Sequence, residues 1–321
     1  MPRPIIVALA GGVGGAKLAH GLAAELSPDA LTVVVNTADD AEMHGLHISP
    51  DLDTVLYTLS GIANPDTGWG IQGDSFRLLE QLGRLGQPDW FRLGDLDFAT
   101  HITRTNLLRS GASMTEVTRH LAAALGVRAT LLPMCDERVE TMVRTPDGEL
   151  AFQDYFVRRH CQDTVLGLRF QGIERATVPA GVREAVARAD AIVFCPSNPL
   201  VSLGPILAVP GMRALLRDRG VPIIAVSPII AGEAVRGPAA SMLGDLGHDR
   251  SVVGVARHYQ DLRPILFIDQ ADQDLAAAVA ETGARPVVAP TLMRTFEDRR
   301  SLARLVLAEA AGRFAGSGTA P

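Results

Sequence analysis

The residues best equipped for chemistry are acidic and gather in two short stretches. "NTADD" brings Asn36, Asp39 and Asp40 together, and eleven residues later "SPDLDTVLY" supplies Asp51 and Asp53. Carboxylates in this number need a counter-charge. Mg²⁺, which takes oxygen ligands and bridges to phosphate, is the expected cofactor, with Asp39, Asp40, Asp51 and Asp53 as the candidates for metal ligand or catalytic group. The competing reading is helix capping, since an aspartate is favoured in a first helical turn whatever its chemistry. A phosphate holder lies upstream in "ALAGGVGGAKL", where Gly11, Gly12, Gly14 and Gly15 precede Lys17, the one lysine of a chain whose Lys and Arg together number 30. The run matches neither G-x-x-x-x-G-K-[ST], because Ala16 and Leu18 stand at required positions, nor G-x-G-x-x-G, because Lys17 replaces the third glycine. Small residues still let backbone N–H groups approach an anion at a helix start, and the plainer alternative is a tight strand-to-helix turn.

Two further stretches are rich in polar groups. "FRLGDLDFATHITRTN" holds Arg92, Asp95, Asp97, His101, Arg104 and Asn106. Asp97 is expected to cap a helix starting near Phe98, with His101 and Arg104 one turn apart. "CPSNPLVSLGPI" sets Ser197, Asn198, Ser202 and Gly204 among stiffening prolines, after a buried strand. Cys195, inside that strand, reads as core rather than nucleophile.

The elements that must position these groups alternate in type. "PIIVALA" (4–10) and "LTVVVNT" (31–37) read as strands around a helix at 16–26, a βαβ unit with a parallel sheet. Helices are expected at 49–62, 71–85 and 97–125, and short alternating strands over 129–156 with a hairpin at "PDG". Strands "AIVFCPSNPL", "VPIIAVSPII", "PILFID" and "ARPVVAP" follow. The fold class is α/β, a Rossmann-like doubly wound, mainly parallel sheet with a helical and β-hairpin insertion. The expected organisation is one compact unit over 1–311, with the insertion at about 60–175 and a disordered tail at 312–321.

Net charge is −6 with a pI of about 5.8 and no basic stripe, which argues against a nucleic-acid partner. The apolar run at the N-terminus is too short to span a membrane, and the three cysteines lack metal-ligand spacing. A cytoplasmic protein with reduced thiols is the expectation.

Taken in order, "GGVGGAKL", "NTADD", "SPDLDTVLY", "WGI", "LGDLDFATHI", "RSGAS", "LPMCDERVET", "FQDYFV", "PSNPLVSLGPI", "VSPIIAG", "RGPA" and "TLM" resemble the 2-phospho-L-lactate transferase family (CofD, FbiA in actinobacteria) over nearly the whole chain. Leu96 departs from the pattern, standing where a basic residue is expected. The resemblance implies a Mg²⁺-dependent transferase of coenzyme F-420 biosynthesis. Its acceptor is the deazaflavin Fo (7,8-didemethyl-8-hydroxy-5-deazariboflavin). Its donor is a guanosine diphosphate carrying a lactyl, enolpyruvyl or glyceryl group, made by a partner guanylyltransferase of the pathway. The ribityl hydroxyl attacks the outer phosphorus and GMP leaves. The same resemblance implies a homodimer, Asp53 and Arg92 at Fo, Asp39 and Asp40 as metal ligand or base, and Ser197, Asn198, Ser202 and Gly204 at the donor, while the glycine loop and Lys17 hold the diphosphate. Trp69 is a candidate for stacking on the deazaflavin, and Asn36, His101 and Arg104 for further substrate contacts. Two rivals are a nucleotide-sugar-binding regulator of the gluconeogenesis-factor type, binding without turnover, and a dinucleotide oxidoreductase. The full carboxylate set argues against the first. The broken third glycine, and the lack of a lone ribose-binding acid after the second strand, argue against the second.

Overall fold

In the computed structural model, which describes residues 4–312, seven strands form one all-parallel sheet. They are β1 (Ile6–Ala10), β2 (Leu31–Val35), β3 (Thr130–Pro133), β4 (Ala191–Phe194), β5 (Ile223–Val226), β6 (Ile265–Ile268) and β7 (Arg285–Val288). The spatial order is β7-β6-β5-β4-β1-β2-β3. That is the doubly wound order 3-2-1-4-5-6 carried one strand further, and it reverses between β1 and β4, where ligands bind in sheets of this kind.

The strands read as continuous apolar runs because both faces are covered. Val7 and Leu9 pack with Val34, Ile192 and Phe194 on one face, while Ile6, Ala8 and Ala10 pack with Val33, Val35 and Val193 on the other. Helix α1 (Gly12–Glu25) returns the chain from β1 to β2 and lies against α2 (Pro50–Ser60) and the C-terminal α5 (Phe296–Ala310). It starts at Gly12, four residues before the expected boundary, because the glycine run forms its first turn instead of a loop ahead of it.

Two excursions leave the sheet. After β2 come a hairpin (Ala41–Met43 with Leu46–Ile48), α2, a turn-rich stretch, the helix Arg77–Arg84, α3 (Asp95–Arg109) and α4 (Met114–Ala124). The expected helix at 71–85 shrinks to Arg77–Arg84, since Gly68, Gly70 and Gly73 all hold positive φ before it. The expected helix at 97–125 is two, separated where Ser113 and Glu116 form a capping box. The second excursion is a three-stranded antiparallel sheet of Glu140–Thr145, Gly148–Ala151 and Gly167–Gln171, turning at Gly148 as "PDG" foretells. The insertion expected as one block at 60–175 is therefore split, because β3 inside it pairs with β2 at the sheet edge. All but Gly312 of the tail expected at 312–321 lies outside the described residues. Among those residues no helix is long and apolar enough to cross a membrane.

Candidate active site

A cleft of about 710 Å³ opens at the carboxyl ends of the central strands. Its floor is the crossing of the loops after β1 and β4. The Ser197 hydroxyl accepts from the Gly11 amide at 3.0 Å and donates to the Gly11 carbonyl at 2.8 Å. A Cβ at Gly14 would run into the Pro196 carbonyl, and one at Gly15 would stand 2.5 Å from Ser197 Oγ. The glycines thus let α1 start directly against the β4 loop, where no side chain fits.

One wall is acidic. Asp51, in the first turn of α2, accepts from Asn36 Nδ2 at 3.0 Å and is also hydrogen-bonded by the Gly12 amide and Ser202. A carboxylate therefore stands at the positive end of α1, where the sequence leads one to expect a phosphate. Burial, reinforced by Asp40, pushes Asp51 up to about 6 against those hydrogen bonds. Beside it Asp39 is raised well above the carboxylate range by burial and by the charge of Asp51, and its buried Oδ1 has no hydrogen-bond partner. Two carboxyls pressed together in this way, one with an orphaned oxygen, can share a proton or hold a hard cation.

Deeper in the wall, α3 and α2 form a second acidic group. Both guanidinium nitrogens of the fully buried Arg104 clasp Asp53, with Nη1 to Oδ2 at 3.1 Å. Asp53 is nonetheless raised by burial, while Arg104 is held charged by Asp53 despite burial. Tyr57 donates to Asp97 Oδ1 at 2.6 Å, and His101 Nε2 stands 3.3 Å from the same oxygen. Burial raises Asp97, but His101, Tyr57 and Arg104 outweigh it and keep the group below its ordinary value. A guanidinium only donates, so His101 Nδ1, 3.2 Å from Arg104 Nη1, is the acceptor, and the ring proton sits on Nε2 toward Asp97. Ligand atoms of Asp53, Asp97 and His101 lie within 4.8 Å of one another. Their charge is already answered by Arg104, so Asp39 and Asp51 are the better seat for a divalent cation.

Another part of the lining is aromatic. A π-helical turn, Asp154–Arg158, brings Phe156 parallel to Phe152, centroids 5.4 Å apart, and both line the cleft with Trp69, Trp90 and Phe91. Arg92 also lines it, its guanidinium 4.0 Å above the Phe76 ring.

The cleft brings together Gly11, Gly12, Gly14, Lys17, Asp39, Asp51, Asp53, Trp69, Arg92, His101, Ser197, Asn198 and Ser202 of the residues expected from the sequence. Five do not line it. Gly15 packs on Ser197, Asn36 orients Asp51, Arg104 lies behind Asp53, and Gly204 packs near the Pro199 carbonyl. Asp40 turns the other way. Its Oδ2 accepts from Ser49 at 2.6 Å and meets His47 Nε2 at 2.7 Å, beside a separate cavity of about 200 Å³. Consecutive residues after a strand diverge, so Asp40 does not line the cleft, although its Oδ1 is buried without a partner and its charge acts on Asp39 and Asp51. Asp97 is no cap: α3 begins two residues earlier, with Gly94 as its N-cap. It and Tyr57 are site residues that spacing alone misses, although Asp97 and His101 stand i, i+4 on one helix face, a signal available in advance. Leu96 is exposed and lies off the cleft, so the departure there costs it no contact. Cys195 is fully buried, its thiol pushed up to about 12 by burial, as a core residue would be.

Residues 6–295 match the sequence model of the family described as 2-phospho-L-lactate transferase CofD. A 2-phospho-L-lactate transferase of Methanosarcina acetivorans is 43% identical over 302 residues, covering 94% of this chain and 98% of that protein. A phosphoenolpyruvate transferase of Kitasatospora aureofaciens is 42% identical over 310 residues, covering 94% and 97%. The crystal structure of a UPF0052-family protein of Bacillus halodurans superposes with a TM-score of 0.62 over 96% of this chain and all of that one, at 16% identity, a likeness of fold alone.

Proposed function

Because the chain belongs to the 2-phospho-L-lactate transferase family, we propose that it moves a phosphorylated three-carbon acid from a guanosine diphosphate donor to Fo, in coenzyme F-420 biosynthesis. The terminal ribityl hydroxyl of Fo attacks the phosphorus that carries the acid. The bond from that phosphorus to the bridging oxygen breaks, and GMP leaves with the oxygen. The product is a phosphodiester between Fo and the acid, and the hydroxyl proton passes to a carboxylate. The acid is lactyl, enolpyruvyl or glyceryl, since relatives of nearly equal identity carry the names phospholactate and phosphoenolpyruvate transferase.

The observation that carries the reading is one cleft lined both by a group of carboxylates and by a group of aromatic rings. Phosphoryl transfer asks for positioning and charge neutralisation rather than covalent help. The aromatic wall suits a planar deazaflavin. Asp53, oriented by Arg104 and raised by burial, suits the ribityl hydroxyl as hydrogen-bond acceptor and proton acceptor. Asp97, fixed by Tyr57 and His101, holds a second negative oxygen nearby. Asp39 and Asp51 would hold Mg²⁺, and the orphaned Asp39 oxygen and the all-oxygen donor set fit that ion. When bound, Mg²⁺ would supply positive charge against the diphosphate oxygens.

The test is turnover. Protein, Mg²⁺ and Fo are mixed with a guanylyltransferase making donors from GTP and, in turn, 2-phospholactate, phosphoenolpyruvate or 3-phosphoglycerate. One dominant deazaflavin product by mass, with GMP in equal amount, is expected. Neither product nor Fo binding would overturn the reading in favour of a nucleotide-sugar binder.

A further inference from the structure

The cleft has a third wall, at its mouth, and it is cationic. Lys17, Arg236 and Arg294 all line it. Lys17 Nζ donates to the Met293 carbonyl at 2.9 Å, and Arg236 donates to the Thr67 carbonyl. Neither of these two meets a carboxylate within ion-pair distance among the described residues, whereas ten arginines elsewhere on the surface do. Asp298, the one carboxylate whose field reaches Lys17, is occupied as the capping-box acceptor of the Arg294 and Thr295 amides. Behind Lys17 stands Arg299, half-buried, its Nε without a hydrogen-bond partner. Burial and the charges of Arg299 and Arg236 hold the Lys17 ammonium below its ordinary value. Like charges gathered at one partly desolvated wall repel one another, and an anion relieves that repulsion.

We infer that this corner binds the carboxylate of the three-carbon acid being transferred, with Arg236 and Lys17 as its contacts and Arg294 at the rim. The inference rests on the transferase reading above and extends it to the part of the donor that differs between relatives. Neither the diphosphate nor the acid's carboxylate can face Asp39, Asp51, Asp53 and Asp97 unscreened; a divalent ion held by Asp39 and Asp51 would be engaged by the diphosphate, which leaves the carboxylate to the cationic corner. Arg236 is exposed and is hydrogen-bonded to the turn at Thr67 and Gly68, and Gly68 of that turn lies against Val13 of the glycine helix. The corner therefore closes beside Trp69 on the same turn. Carboxylate-bearing donors are held there by charge, whereas lactyl, enolpyruvyl and glyceryl groups differ only in the atoms between that carboxylate and the phosphorus.

Two synthetic donors test this: guanosine diphosphate esterified through its outer phosphate to lactate, and the same diphosphate esterified to ethanol, which lacks the carboxylate. Each is measured with wild type, Arg236→Gln and Arg236→Lys, by KM and kcat with Fo and by calorimetric binding without it. The expected result is about a tenfold rise in KM and in dissociation constant of the lactyl donor for Arg236→Gln. Partial recovery is expected in Arg236→Lys, with no change for the ethyl donor in either variant. Equal weakening of both donors would overturn the inference and make the corner a phosphate site, and no effect on either donor would overturn it outright. Donor binding that discriminates by the carboxylate, but without transfer to Fo in wild type, would overturn the transferase reading while leaving the corner intact. Binding of neither donor to wild type would overturn both.

Discussion

If Asp39 and Asp51 hold the divalent ion, its affinity must collapse in mild acid, at a pH set by their burial. Asp51 titrates at about 6 instead of its ordinary 3.8. At pH 5 roughly one Asp51 in ten is ionised, so on its account Mg²⁺ binds about tenfold more weakly than with Asp51 fully ionised, a loss of about 1.4 kcal/mol. Asp39 is also raised, by burial and by the charge of Asp51, so where both must lose a proton the fall steepens toward a hundredfold per pH unit. The sign for the metal-free protein follows from the same shift. A carboxyl whose folded value exceeds its unfolded value favours the fold when protonated, so that contribution is full below about pH 4 and is lost as the pH rises toward about 6. Mg²⁺ should therefore raise the melting temperature little at pH 5 and most at pH 7.5. The two shifts should differ by on the order of 2 °C for each tenfold in affinity. Thermal unfolding with and without Mg²⁺, in the presence of GDP, measures this, and a calorimetric titration gives the affinities directly. Asp51→Asn should remove most of the binding and leave only the shallower acid limb that Asp39 contributes. A Mg²⁺ shift equal at pH 5 and pH 7.5, or an acid limb as steep in Asp51→Asn and Asp39→Asn as in wild type, would refute the placement.

Asp53→Asn strands the buried Arg104 and Arg104→Met strands Asp53, so each should cost about 3–5 kcal/mol in denaturant unfolding. The double variant Asp53→Leu with Arg104→Met should recover most of that stability but neither Fo affinity nor turnover, and recovery of turnover would remove Asp53 from the mechanism. Gly14→Ala should destabilise by about 1–3 kcal/mol and lower donor affinity, because its methyl meets the Pro196 carbonyl and the backbone must give way; wild-type stability would show that α1 can shift off the β4 loop. Both tryptophans, Trp69 and Trp90, line the cleft, so Fo should quench the intrinsic fluorescence, with part of the quench kept in Trp90→Phe and part in Trp69→Phe. A wild-type titration without quenching would place the deazaflavin away from the aromatic wall.

The doubly wound order was legible because each buried strand announces itself as a short apolar run between helical periods, and handedness then leaves few ways to order parallel strands. The edge strand β3 was not recognised as part of that sheet. "ATLLP" follows a long helical excursion and carries no mark that separates it from the antiparallel strands after it. Its place is fixed by pairing with β2, from Thr32↔Thr130 to Val35↔Pro133. The glycine run was read as a phosphate loop because composition cannot show what occupies a helix end, and here a carboxylate of the same chain sits beside Gly12.

The acidic groups show where the limit lies. Types and spacing brought Asp39, Asp40, Asp51 and Asp53 into view, yet what each one does depends on side-chain direction. Asp39 and Asp40 are chemically equal neighbours and each buries one oxygen without a partner, but Asp39 lines the cleft while the second oxygen of Asp40 is taken by His47 and Ser49 beside a different cavity. Asp53 and Arg104 stand 51 positions apart in sequence and form the tightest charge pair of the cleft wall. The helical spacing of His101 and Arg104 was visible, but not that Arg104 is turned inward. The inward turn pairs Arg104 with Asp53 and makes His101 Nδ1 an acceptor. Among the described residues that leaves Asp39 and Asp51 as the cleft carboxylates without a basic side chain paired to them, which is the reason for proposing the divalent ion there.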